Sequence, residues 1–286
     1  MDRILLQLVR GILCAALSLW AGPLYGQCSL ARGAQAALAN LEGLAGQPGY
    51  AFRKAGIYLD SGCYAEARVW FVRARDNVPQ DQDDRQQALN AINGSIELVD
   101  AAGKLRAGHR DEAAADLKHI LQTYGLMAVT PRAAVALATL IVTDPNPQIW
   151  QVVEEPLRQM ADEGWSMWRP KLLLVEHQIN AEGTRAAIAT LSSNLAQEIP
   201  TQRRLMLQVL MAHALRRAGR VTEAAVLLTN IEDEVGENSL DADLRIFYLN
   251  LCVDIWQQRS QAGTDPSAAA RLNAFQSALR DTAAQR

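Results

Sequence analysis

A chain of 286 residues that is 49% hydrophobic and 21% charged has the composition of an ordinary folded protein. Its formal net charge of −3, with no basic stripe, argues against nucleic acid as a partner. Aromatics are only 6%, Ala and Leu dominate the apolar set, and long alternating Val/Ile/Thr runs are absent, which excludes much sheet and predicts an all-α fold.

Residues 1–26 read as a secretory signal peptide. Arg3 and Arg10 form a short positive region, Gly11 to Gly22 an apolar core of twelve residues, and Pro23 to Gly26 a helix-breaking exit, with cleavage expected after Gly26. No later apolar run approaches the roughly 18 residues that a membrane span needs. The expectation is therefore a periplasmic chain that does not span the membrane once its leader is removed. Cys28 and Cys63 could form a disulfide in such an oxidising compartment, tying the new N-terminus to the first helical turn. Cys252 lies in an apolar run and is expected to be a small buried hydrophobe. The cysteine spacing suits no zinc site, so no metal and no cofactor are expected.

After the leader, apolar spacing predicts an introductory helix over 29–45, then helix pairs 49–61 with 64–77 and 84–107 with 110–123. Further pairs are predicted at 131–143 with 147–162, 167–181 with 184–198, and 202–217 with 221–234. A closing pair covers 239–261 and 266–283. Three of the hairpin turns carry the same words: Gly62-x-x-x-Glu66-Ala67, Gly108-x-x-x-Glu112-Ala113 and Gly219-x-x-x-Glu223-Ala224. The turn glycines fall at 62, 108, 183 and 219, and the long interval between the second and third is close to twice the last one. A further turn is thus predicted near 145, where Asp144-Pro145-Asn146-Pro147 stops one helix and starts another. Each Gly supplies the left-handed residue that ends a helix without a Cβ penalty, each Glu faces the positive end of the next helix dipole, and each Ala permits close helix approach.

These residues resemble the tetratricopeptide repeat family. The closest copy places Ala212, Leu215, Gly219, Ala224, Leu228 and Ile231 where that repeat has small, large, Gly, Ala, large and small-to-medium residues. The first copy offers Ala55, Tyr58, Gly62, Ala67, Phe71, Ala74 and a closing Pro79. The second offers Ala101, Gly108, Ala113, Leu117 and Ile120, with Lys104 where a large apolar residue is usual. The unit around Gly183 fits with a one-residue shift through Ala187 and Leu191, and the unit at Asp144–Pro147 fits in length alone. The resemblance covers 48–236 and implies an α-solenoid of about five antiparallel helix pairs, with an N-terminal docking helix and a C-terminal cap over 237–286. The whole of 27–286 is then expected to form one helical repeat domain.

In that family the first helices of successive pairs line a groove. Mapped residue by residue, this implies a partner surface at Arg53, Arg106, His177, His213, Arg216 and Arg217, suited to an acidic peptide or an anionic glycan unless these groups pair with local carboxylates. Trp165 and Trp168 could form an exposed aromatic patch or a plug between units. No catalytic constellation emerges: there is no His-Glu-x-x-His, no Gly-x-Ser-x-Gly elbow and no phosphate loop. Asp81-Gln-Asp83-Asp84 lacks the Gly and terminal Glu of a calcium loop.

The resemblance implies a non-catalytic scaffold or adaptor that holds a protein partner in an envelope assembly or export machine. Two alternatives stay open: a periplasmic glycan- or peptide-binding protein, and a cell-wall-cleaving enzyme using a carboxylate pair among Glu154, Glu155 and Glu163.

Overall fold

The computed structural model describes residues 28, 30–47, 49–80, 84–124, 129–142, 147–163, 168–235, 240–263 and 265–284. The expected leader and its cleavage point, the residues Asp81, Gln82 and Asp83, most of the Asp144–Pro147 turn, and Trp165 lie outside these.

The fold is all-α, with thirteen helices and no strand among the described residues. In chain order they are α1 (Arg32–Glu42), α2 (Tyr50–Asp60), α3 (Tyr64–Asp76), α4 (Arg85–Arg106), α5 (Arg110–Tyr124), α6 (Thr130–Ile141) and α7 (Pro147–Glu163). They continue as α8 (Trp168–Glu182), α9 (Thr184–Leu195), α10 (Thr201–Arg217), α11 (Val221–Ile231), α12 (Ala242–Ala262) and α13 (Ala268–Ala284). Every helix expected from apolar spacing is present, displaced by a few residues at most at either end. The helices group into two compact units that divide within α7 at Pro156, a residue that cannot donate a helix hydrogen bond. The array expected over 27–286 is therefore described unit by unit.

In both units consecutive helices pack on one another in the manner of an α-solenoid. The Gly-x-x-x-Glu-Ala turns explain how. At all three, the backbone N–H after the glycine reaches back to the helix that is ending: Cys63 to the Tyr58 carbonyl, His109 to Lys104 and Arg220 to Leu215, each at 2.9 Å. The glycine N–H adds a shorter-range bond to the carbonyl of Leu59, Leu105 or Arg216. This doubly bonded closure needs a left-handed residue, and Gly62, Gly108 and Gly219 have φ of 72°, 88° and 74°. Ala67, Ala113 and Ala224 on the second helix are fully buried, and so are Ala55, Ala101 and Ala212 on the first. Six small side chains thus set the close approach of three hairpins.

Unit 1 (α1 to the first part of α7) is filled by Phe71, Leu117, Ile120 and Leu137, with Phe52 edge-on to Phe71 at 5.3 Å. A disulfide between Cys28 and Cys63 ties the segment before α1 to the start of α3 across 35 residues. Unit 2 (the end of α7 to α13) has a continuous core centred on α10, where Leu205 to Leu215 contribute nine buried apolar side chains.

Candidate functional site

An open groove of about 670 Å³ lies within unit 1, across α3, α4 and α5. It spans the second helix of one pair and both helices of the next, a different surface from the one expected along first helices alone. Tyr64 and Val99 form its apolar floor, and burial pushes the Tyr64 hydroxyl well above the usual phenol range. Gly103 completes the floor; a Cβ there would meet nothing within 4 Å, so its missing side chain is part of the opening.

Charge is arranged in rows across the groove. Arg68 of α3 pairs with Asp100 of α4 at 2.8 Å. Lys104 of α4 pairs with Asp116 of α5 at 2.6 Å and lies 3.9 Å from Glu112. The hydrogen bond it donates to Asp116 raises the Lys104 ammonium above its ordinary value, so it stays charged. A third carboxylate, Glu97, accepts a hydrogen bond from the Tyr124 hydroxyl at 2.6 Å and has no ion-pair partner among the described residues. Burial and the Glu97 bond together push Tyr124 up to about 12, which makes it a neutral donor across the physiological range. Three lining carboxylates therefore face two lining cations. His119, also on the rim, contacts Thr123 one turn on at 3.3 Å.

The cationic residues expected along one groove fall in both units, two in unit 1 and four in unit 2, and each is placed within its own unit. Arg53 is exposed on α2. Arg106 is half-buried and donates to the Gly62 carbonyl at 3.4 Å, a contact that braces the first hairpin turn. In unit 2, His177 is half-buried and engaged, His213 is buried, and Arg216 and Arg217 are half-buried and held in ion pairs. His213 is 1% exposed and bonds through Nε2 to Glu176; Arg217 holds the other oxygen of the same carboxylate at 2.7 Å. Arg216 pairs with Asp254 of α12. Burial raises the Glu176 carboxyl, but the His213 hydrogen bond and charge, joined by Arg217, outweigh it and hold the group below its ordinary value. This is a saturated internal charge network.

Two helices close over it. Trp168 at the start of α8 packs against Phe247 of α12 with ring centroids 5.2 Å apart, and Arg169 pairs with Asp243 beside them. Trp168 is 7% exposed, so it is a plug in the unit 2 core and not part of a surface patch. Cys252 is a buried free thiol, pushed up to about 12 by that burial, and has no nucleophilic character at ordinary pH. The sulfurs of Cys28 and Cys63 lie near the Glu66 carboxylate, but the disulfide occupies both of them and leaves no thiolate ligand for a metal.

Neither Glu97 nor Glu176 stood out in the sequence, yet a signal for each site was present. Lys104 breaks the repeat pattern at a large apolar position. Seven residues before Gly183, where the other units have a fully buried Ala, stands Glu176. No family model, no characterised protein and no solved structure matches the chain.

Proposed function

We propose that the chain is a periplasmic, non-catalytic scaffold of tetratricopeptide-like helical repeats that holds a protein partner within an envelope assembly or export machine. The observation that carries this reading is the unit 1 groove: preformed, about 670 Å³, lined by exchangeable surface ion pairs and set on three tightly closed helices. Surface pairs of this kind contribute little to stability, roughly 0–1 kcal/mol each, and can exchange partners at small cost. The Cys28–Cys63 disulfide and the leader-like first 26 residues support an oxidising compartment beyond the inner membrane.

The test is site-specific photocrosslinking in the source bacterium, with the reactive group at Ala65 on the groove and, as a control, at Val226, an exposed position on α11 of unit 2. The expected result is a discrete protein adduct from Ala65 in the periplasmic or envelope fraction and none from Val226. Retention of the chain in the cytoplasm, or turnover of wall fragments with no protein adduct, would overturn the reading.

A further inference from the structure

We infer that the unit 1 groove takes an extended segment of a partner protein that carries a lysine or arginine side chain, and that Glu97 is the residue that receives the cation; this rests on the scaffold reading above. Two of the three lining carboxylates are matched by a cation and one is not. Asp100 is matched by Arg68, and Asp116 by Lys104. Glu97 is matched only by a phenol hydroxyl, so one full negative charge on the lining has no counter-charge of its own. A carboxylate has lone pairs to spare after one hydrogen bond, so Glu97 can keep Tyr124 and accept from an incoming ammonium or guanidinium.

Position restricts the occupant further. Glu97, Asp100 and Lys104 follow one another along α4 at helical spacing, so their side chains occupy neighbouring places on one flank of that helix. The alternating signs that result, Glu97 negative, Asp100 with Arg68, Lys104 with Asp116, fit a ligand with one cation beside polar backbone groups. They do not suit a polyanion, which would meet three carboxylates. The acidic partner expected from the arginine positions is not the one this groove selects. The Gly103 gap beside Lys104 provides room for main chain to lie close to α4.

The experiment uses the full chain and three labelled pentapeptides, acetyl-Ala-Ser-X-Ser-Ala-amide with X as Lys, Gln or Glu, followed by fluorescence anisotropy at low and moderate salt. The Lys peptide should bind roughly fivefold to tenfold more tightly than the Gln peptide, and the Glu peptide most weakly, the size expected for one charge-assisted hydrogen bond at a partly exposed site. The Lys preference should shrink with added salt. Glu97→Gln keeps an acceptor for Tyr124 and should erase the Lys-over-Gln preference. Gly103→Leu should abolish binding of all three peptides, with helix content and urea midpoint serving as its folding check. Equal binding of the three peptides, an acidic preference, or full binding by folded Gly103→Leu would overturn the inference. So would lysine amide binding as tightly as the Lys peptide, because a free amine would then suffice. The crosslinking above separates the two levels: a captured protein with no basic residue at the adduct overturns this inference alone, whereas no captured protein overturns the scaffold reading.

Discussion

Trp168 and Phe247 sit 79 residues apart in sequence with ring centroids 5.2 Å apart, joining the first turn of α8 to α12. Phe247 in turn lies 5.5 Å from the His213 ring, so the two aromatic rings pack as the apolar neighbours of the His213–Glu176 bond. Truncation to Trp168→Ala should cost about 3–5 kcal/mol, the usual range for deleting a buried indole, and should admit water to His213. Trp168→Phe, which keeps a ring against Phe247, should lose less than half as much. Urea denaturation of the two variants checks the ranking; equal midpoints for Trp168→Ala and the parent chain would show that this contact does not hold α8 to α12.

The Glu176 network makes a pH prediction with a definite sign. Its folded-state value is held below the ordinary carboxyl value, so the unfolded chain binds the proton more readily than the folded one. The stabilisation is complete above the unfolded value and is lost as pH falls through the folded one. Stability measured from pH 7 to pH 3 should therefore fall more steeply in the parent chain than in Glu176→Gln. At pH 7 that variant, which leaves Arg217 without its counter-charge and His213 without its carboxylate partner, should be less stable by about 3–5 kcal/mol. Replacing Glu176 and His213 together by Leu should recover much of that loss, because the partly exposed Arg217 can turn to solvent. Failure of the double variant to exceed Glu176→Gln in urea midpoint would place the value of the network elsewhere than in charge pairing.

How much of this was legible in the residues divides along a physical line. The hairpins were, because Gly62, Gly108 and Gly219 must adopt a positive φ and the paired alanines must be small; such demands are local and leave periodic marks. The site was not, because which side chains face one another across three helices depends on rotation about each helix axis, and a few degrees decide whether an arginine points into a groove or onto a carbonyl. Arg106 illustrates it: its spacing suited a groove, but its guanidinium reaches back to the Gly62 carbonyl. The departures from the repeat were better guides than the matches. Lys104 and Glu176 each put a charge where the pattern wants an apolar or small side chain, and each belongs to a charge cluster that the fold had to build around it.

The cysteines give a third test. Closing a loop of 35 residues restricts the unfolded chain, and the loop-entropy relation gives roughly 4 kcal/mol for the Cys28–Cys63 bridge. Reduction with a dithiol, or Cys63→Ser, should lower the urea midpoint accordingly. Alkylation mapped by mass spectrometry should find Cys252 unmodified in the native chain at pH 8, where its buried thiol stays protonated, and fully modified in 8 M urea (a concentration on the order of those that unfold small domains). Rapid native labelling of Cys252 would mean that α12 opens readily.

Two glycines of α4 should respond to the same substitution with opposite signs. A Cβ on Gly94 would lie 2.8 Å from Val129 Cγ1 and 3.1 Å from the Tyr124 ring. Neither neighbour yields easily: Val129 is branched at Cβ, and Tyr124 is held by its bond to Glu97. Gly94→Ala gains helix propensity but must push α4 away from the end of α5, and overpacking of this kind costs about 1–3 kcal/mol. Gly103→Ala, nine residues further along the same helix, meets nothing within 4 Å and should stabilise by about 0.5–1 kcal/mol, the propensity difference alone. Urea midpoints that move in opposite directions would establish that Gly94 is there for close packing and Gly103 for the open floor of the groove. If Gly103→Ala lowers the midpoint, the floor is occupied by something that the helix positions do not account for, and the groove has a different shape in solution.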